Sequence, residues 1–184
     1  VVPMLPTRLS NDLCSLNPNT KKLAMSVDMI VNPKGEVIKT DIYESVIESK
    51  YRLTYKEVAK LLEGEVEIVN DDIELTAMLK EAHRLANISR KVKVEKGMID
   101  FELPELTFTL KDNGEPEKLS ISYQTVSEKL IEDLMVLTNE SVAIFLDEHE
   151  TPALFRIHPK PQEENIDKFK ATIRFFGYQI DKPS

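Results

Sequence analysis

Hydrophobic and polar residues alternate from Leu23 to Val31, which is the pattern of a strand that buries one face. The segment from Val37 to Ile47 is rich in β-branched residues and predicts a second strand. Between them, Asn32-Pro33-Lys34-Gly35 has proline at its second position and glycine at its fourth, as a type I turn prefers. The sequence therefore predicts a β-hairpin in which these two strands pair.

Helical periodicity marks five segments, two of which begin with a capping box. In Thr54-x-x-Glu57 and Thr125-x-x-Glu128, each side chain can bond the backbone N–H of the other residue. We predict helices over residues 6–16, from the first box to Gly64, from Asp71 or Asp72 with an apolar face that reaches Ala86, from the second box to about Leu146, and from about Ile166 to Gly177.

Further strands are predicted over residues 98–103, 106–110, 119–123 and 153–158. Asp112-Asn113-Gly114 predicts the turn between the second and third of these. Because helices and strands follow one another in a mixed order, the predicted class is α+β, with antiparallel hairpins and a mixed sheet packed with amphipathic helices. The sequence has no internal repeat and no glycine-rich linker, which favours one continuous domain.

The charge balance excludes one class of protein. With 24 Lys and Arg against 32 Asp and Glu, the net charge of −8 excludes a protein whose entire surface attracts nucleic acid, although one basic groove stays possible.

The single cysteine, Cys14, excludes an internal disulfide and favours a cytoplasmic location. No apolar segment reaches the roughly 18 residues of a membrane helix. The chain starts without methionine or a signal peptide, so we expect a piece of a longer protein, or one whose first part is missing.

Composition and periodicity alone reveal no active site. The three histidines, His83, His149 and His158, lack the spacing of a zinc site, and no phosphate-binding glycine loop or nucleophile motif occurs. The acidic pair Glu132-Asp133 lies at the edge of an apolar helix face, where a solvated flank is the simplest interpretation. No segment gathers several aspartates, as a two-metal phosphodiester site requires, so no metal ligand or catalytic residue is predicted in this chain.

Five blocks of the sequence nevertheless resemble one family, in the same order. The first is Leu5-Pro6-x-x-Leu9-Ser10-x-x-Leu13-Cys14-Ser15-Leu16-x-Pro18. The others are Tyr43 to Lys50 continuing to Tyr55, Gly97 to Phe101, Ile131 to Met135, and Pro152 to His158. Together they resemble the RNB domain, the catalytic domain of the ribonuclease II and ribonuclease R family. The third and fifth blocks resemble ribonuclease R more than ribonuclease II.

This resemblance implies a 3′→5′ hydrolytic exoribonuclease that releases nucleoside 5′-monophosphates from single-stranded RNA. In the family, aspartates hold Mg²⁺ at the cleaved phosphate, where the metal activates water. Those aspartates are expected before Val1, and a phosphate-binding arginine after Ser184. Residues 1–184 are thus expected to be the central fragment of a single RNB domain, which alone binds no Mg²⁺, binds RNA weakly and is inactive. The alternative is a non-catalytic RNA-binding or regulatory module on an RNB-like scaffold.

Three residues match positions that contact RNA in this family. Phe101 matches an aromatic residue that packs against bases at the 3′ end of the RNA, and a ring can stack on any base. Tyr55 and Glu132 match positions that contact a nucleotide further along the RNA channel, through a ring, a hydroxyl or a carboxylate. The alternatives are a core phenylalanine, the first residue of a capped helix and a solvated helix flank. If the match between this sequence and the family were shifted by one residue, Asp133 would take the place of Glu132.

Overall fold

Helices and β-hairpins alternate along the chain in the computed structural model, which describes residues 2–99, 101, 103–111 and 113–180. The chain divides into two units, Val1–Glu150 and Thr151–Ser184. The elements of the first unit are a π-helical segment (Leu9–Leu13), β1 (Lys21–Val31), β2 (Val37–Glu48), α1 (Tyr55–Leu62), α2 (Ile73–Glu95), β3 (Glu105–Leu110), β4 (Pro116–Ser122) and α3 (Val126–Glu148). The second unit contains α4 (Glu163–Phe175). The predicted α+β class is confirmed.

The first hairpin forms as the sequence predicts. β1 and β2 pair antiparallel along their length, with one bulge beside the turn. The backbone N–H of Gly35 donates to the carbonyl of Asn32 over 2.9 Å, which closes the turn. Gly35 has a φ of +86°, a conformation that glycine adopts without a steric penalty.

The second hairpin exposes an apolar face. β3 and β4 pair antiparallel and place Leu106 opposite Ile121 and Phe108 opposite Leu119, so these four side chains share one face of the ribbon. All four are exposed. Asp112, in the predicted turn, lies outside the described residues. The turn is confirmed by a 2.8 Å hydrogen bond from the N–H of the glycine at position 114 to the carbonyl at position 111.

Two predicted strands are wrong. In the stretch 98–103, the described positions 98, 99, 101 and 103 lie outside any strand. β3 and β4 stop pairing at Glu105 and Ser122, so no strand among the described residues lies beside that stretch. Residues 153–158 form no strand either, because the described part of their unit contains only α4. In the described part of the chain, the two hairpins are separate antiparallel sheets and do not join into a mixed sheet.

The core lies where the three helices of the first unit meet. α1 packs on α2 and α3, and α2 packs on α3. Leu61, Val69 and Leu75 form a buried cluster, and Leu53 and Leu79 pack against it. None of the described helices combines the length and the apolar character needed to cross a membrane.

The helix predicted after Asp71 or Asp72 forms as α2, and the structure defines both of its ends. At its start, Asp72 and not Asp71 is the cap, because the Asp72 carboxylate accepts an N–H of the first turn over 2.9 Å. The helix then continues to Glu95, well beyond Ala86, the last residue of its predicted apolar face. Beyond Ala86, the buried face of the helix presents Ser89, a small polar residue that interrupts the apolar periodicity.

Both capping boxes form as predicted, at the N-termini of α1 and α3. The Glu57 carboxylate accepts the backbone N–H of Thr54 over 2.8 Å, and the Glu128 carboxylate accepts that of Thr125 over 2.6 Å. Hydrogen bonds lower the pKa of both glutamates. The largest contribution comes from the Thr54 hydroxyl for Glu57 and from the Thr125 backbone N–H for Glu128.

The free energy of unfolding is expected to fall as the pH drops below 4.5, the ordinary pKa of these glutamates. Since both carboxylates have a lower pKa in the folded protein, the unfolded state binds their protons first. Their stabilisation is therefore complete above the unfolded pKa and is lost as the pH falls through the folded pKa. The double variant Glu57→Gln/Glu128→Gln should show a smaller acid-induced decrease in its urea midpoint than the wild type. An equal decrease in both proteins would contradict this assignment.

Candidate nucleic-acid interface

One cleft of the first unit, with a volume of about 640 Å³, is lined by the three residues predicted to contact RNA. Tyr55 comes from the start of α1, Glu132 from α3, and Phe101 from the connection between α2 and β3. The packing of α1 on α3 brings the first two together, although they are distant in sequence. Tyr123 and Met135 add exposed apolar surface to the same cleft.

Tyr55 is held in place through its backbone. It is the first residue of α1, directly after the cap Thr54. The hydroxyl of the buried Ser127, in the first turn of α3, donates to the Tyr55 carbonyl over 2.7 Å. This bond joins the N-terminal turns of the two helices. Because Tyr55 is 51% exposed, its side chain is accessible to a ligand while its backbone is fixed.

Phe101 is 73% exposed and lines the cleft, which argues against the alternative of a core phenylalanine. Tyr123, directly after β4, is also exposed and lines the cleft. Its sequence pattern predicts a strand residue without a functional role. The sequence did contain a signal for the position of Tyr123. The residue closely precedes the capping box that begins at Thr125, and it therefore lies at the N-terminus of α3 and outside the strand.

Glu132 and its neighbour Asp133 have different surroundings. The Glu132 side chain lines the cleft and is 44% exposed. The Gln124 side-chain amide donates to its Oε2, and Nη2 of Arg90 lies 3.9 Å from its Oε1. Asp133 is only 7% exposed at its side chain and accepts a hydrogen bond from Nε of Arg90 over 2.9 Å. The structure thus places Glu132 in the cleft and Asp133 in the interface between α2 and α3.

The cleft is acidic. Glu105, Glu128 and Glu132 line it, and no lysine or arginine is found among its described lining residues. Such a surface offers carboxylate acceptors for N–H and O–H groups, and aromatic faces for planar ligands, but little attraction for phosphates. Its chemistry therefore suits the bases and sugars of a single-stranded nucleic acid better than the phosphates.

The described residues do not fit a magnesium site. Among them, no group of three or more His, Cys, Asp or Glu side chains is placed to hold a metal ion. In the cleft, the Glu128 carboxylate belongs to a capping box, and Glu132 is engaged by Gln124 and Arg90. The expectation that this chain binds no metal by itself stays a prediction.

Residues 1–183 match the family model of the RNB domain. The chain belongs to the RNB domain family. Ribonuclease R of Mycoplasmopsis pulmonis is 36% identical to this RNB chain over 183 residues, which are 100% of this chain and 25% of that protein. Ribonuclease R of Escherichia coli is 38% identical over 180 residues, 98% of this chain and 22% of that protein. The chain therefore spans about a quarter of the length of these relatives.

Solved structures of ribonuclease R from Mycoplasma genitalium share the fold of the RNB chain. The apo form matches with a TM-score of 0.93 at 29% identity, over 100% of this chain and 28% of that chain. A complex of the same enzyme with ribose-methylated single-stranded RNA matches with a TM-score of 0.92 at 29% identity, over 100% and 29%. The predicted family and fold class are both confirmed.

Proposed function

We propose that this chain is part of an RNB exoribonuclease that degrades single-stranded RNA in the 3′→5′ direction and releases nucleoside 5′-monophosphates. The similarity to ribonuclease R in sequence and fold supports this activity. One observation supports the RNA-binding role proposed for this chain. Tyr55, Phe101 and Glu132 lie far apart in sequence and yet line a single exposed cleft.

In this proposal, the cleft guides the RNA strand by its bases and sugars. The exposed ring of Phe101 stacks on a base at the 3′ end, and Tyr55 contributes a second ring and a hydroxyl. Glu132 accepts a hydrogen bond from a base amino group or a ribose hydroxyl. An enzyme that shortens RNA of any sequence needs contacts that tolerate every base, and stacking has this property.

We assign hydrolysis itself to other residues of the enzyme. A metal-assisted phosphodiester site needs carboxylates gathered around Mg²⁺, and the described acidic residues are not placed to hold an ion. The Mg²⁺ ligands in this proposal therefore lie outside the described residues. The chain by itself should be inactive, and it should bind RNA weakly because its net charge is −8.

A single-stranded RNA labelled at its 5′ end tests this proposal. With Mg²⁺, the full-length protein should shorten the RNA from its 3′ end and release nucleoside 5′-monophosphates. The 184-residue chain, shown to be folded by circular dichroism, should leave the RNA intact. Its dissociation constant at physiological salt, measured by fluorescence anisotropy, should exceed about 1 μM.

Two results would contradict the proposal in different ways. A full-length protein that binds RNA without shortening it would support a non-catalytic RNA-binding module. Metal-dependent release of mononucleotides by a nuclease-free preparation of the 184-residue chain would place the metal ligands within it.

A further inference from the structure

Arg90 connects the buried interface between α2 and α3 with the cleft. Its Nε donates to Oδ2 of Asp133 over 2.9 Å, and its Nη2 lies 3.9 Å from Oε1 of Glu132. The side chains of Arg90 and Asp133 are 16% and 7% exposed. The contact with Asp133 therefore forms where solvent and salt screen charges less than at an open surface, whereas Glu132, at 44% exposure, meets Arg90 at the edge of the cleft.

We infer that Arg90 is a positioning residue for the RNA contact of Glu132, an inference that rests on the proposed function. Arg90 attracts Oε1 of Glu132, while Gln124 donates to Oε2. A carboxylate with a hydrogen bond at one oxygen and a cation near the other is restricted in its orientation, and each oxygen keeps a lone pair for a donor on the RNA. Asp133 in turn holds the guanidinium, because a carboxylate this buried requires a charged partner.

A purely structural role does not account for the geometry of Arg90. An ion pair with Asp133 would tie α2 to α3 whichever way the rest of the guanidinium pointed. Instead, the planar guanidinium also places its Nη2 toward Glu132 on the side of the cleft. Glu132 is the residue directly before Asp133 in α3. Lysine carries a compact charge on a flexible stem and cannot address two carboxylates with this fixed geometry. The variant Arg90→Lys therefore keeps the charge and removes the orientation.

A double-mutant cycle on RNA affinity tests the inference in the full-length protein. The probe is a fluorescein-labelled single-stranded RNA, with EDTA present to prevent cleavage, and the readout is fluorescence anisotropy. Glu132→Gln and Arg90→Lys should each weaken binding about tenfold, the effect of losing one charge-assisted hydrogen bond. If Arg90 acts through Glu132, the double variant should bind no more weakly than either single variant.

Arg84→Lys is the matched control. Arg84 lies on the same helix, is exposed and pairs with Glu81, so its replacement should leave RNA affinity unchanged. Losses that multiply in the double variant would overturn the inference and leave the proposed function intact. The same holds if Arg90→Lys binds RNA like the wild type. Normal binding by Glu132→Gln would overturn the inference and also the RNA contact proposed for Glu132. A wild-type protein without affinity for RNA would overturn the inference and the proposed function together.

A second variant keeps the test decisive if Arg90→Lys melts too early to be assayed in its folded state. Asp133→Asn removes the charge that anchors Arg90 and keeps the shape of the side chain. It should reproduce the roughly tenfold loss of affinity, without further loss when combined with Glu132→Gln. Independent losses in that pair, or normal affinity of Asp133→Asn, would also overturn the inference.

Discussion

Replacing Gly35 by alanine is expected to lower the free energy of unfolding by about 2–5 kcal/mol, because two costs add. The φ of +86° is a left-handed conformation in which a side chain costs about 1–2 kcal/mol. A Cβ at this position would also lie 2.8 Å from Cγ2 of Ile88 and 3.1 Å from Cγ2 of Val92. The turn would then have to move away from α2, at a cost of about 1–3 kcal/mol. Urea unfolding followed by circular dichroism measures the sum.

The variant Gly114→Ala separates the two costs. Gly114 lies in the turn of the second hairpin with a φ of +82°, and apart from Gly114 and its two chain neighbours no atom of the described residues lies within 4 Å of the place its Cβ would take. This variant should therefore lose only about 1–2 kcal/mol. Equal losses at the two glycines would show that the first turn does not press on α2.

Gly35 also shows which parts of the fold the sequence can predict. The turn depends on four consecutive residues, and each capping box depends on residues three positions apart, so local patterns are sufficient for both. The close approach of Gly35 to Ile88 depends on how the hairpin packs against α2. No local pattern contains that information, because the two residues are distant in the chain.

Local patterns failed where pairing or packing between distant segments decides the structure. Residues 98–103 and 153–158 have the composition of strands, but a strand forms only where another strand accepts its hydrogen bonds. Local periodicity does not show where α2 ends, for a related reason. Ser89 interrupts the apolar periodicity and yet is buried, because a small polar residue fits a close contact within the core.

The candidate site was predictable only in part. Periodicity placed Tyr55 at the start of a capped helix and Glu132 at the edge of a helix face, but gave neither a function. The family resemblance selected them together with Phe101, and the helix packing then placed all three in one cleft. The different surroundings of Glu132 and Asp133 depend on Arg90, which lies on another helix. Sequence alone therefore did not show which of the two adjacent acids lies in the cleft.

Phe101→Ala is expected to weaken the binding of single-stranded RNA to the full-length protein by about 1–3 kcal/mol, or roughly 5- to 150-fold. The ring is exposed in the cleft, so its removal takes away a stacking surface and leaves no cavity in the core. The thermal midpoint should therefore stay close to that of the wild type. A buried ring would behave differently, since its truncation costs about 3–5 kcal/mol of stability.

Phe108→Ala is the matched control, because Phe108 is also an exposed phenylalanine but lies on the second hairpin outside the cleft lining. RNA affinity is measured by fluorescence anisotropy at a temperature where all three proteins are folded, and melting is followed by circular dichroism. Weakened binding with nearly unchanged melting for Phe101→Ala, and normal binding for Phe108→Ala, is the expected result. A large decrease in the melting temperature of Phe101→Ala, with normal RNA affinity of the folded protein, would assign Phe101 to packing within the full-length protein. Equal losses of RNA affinity in the two variants would mean that the cleft has no special role in binding the RNA strand.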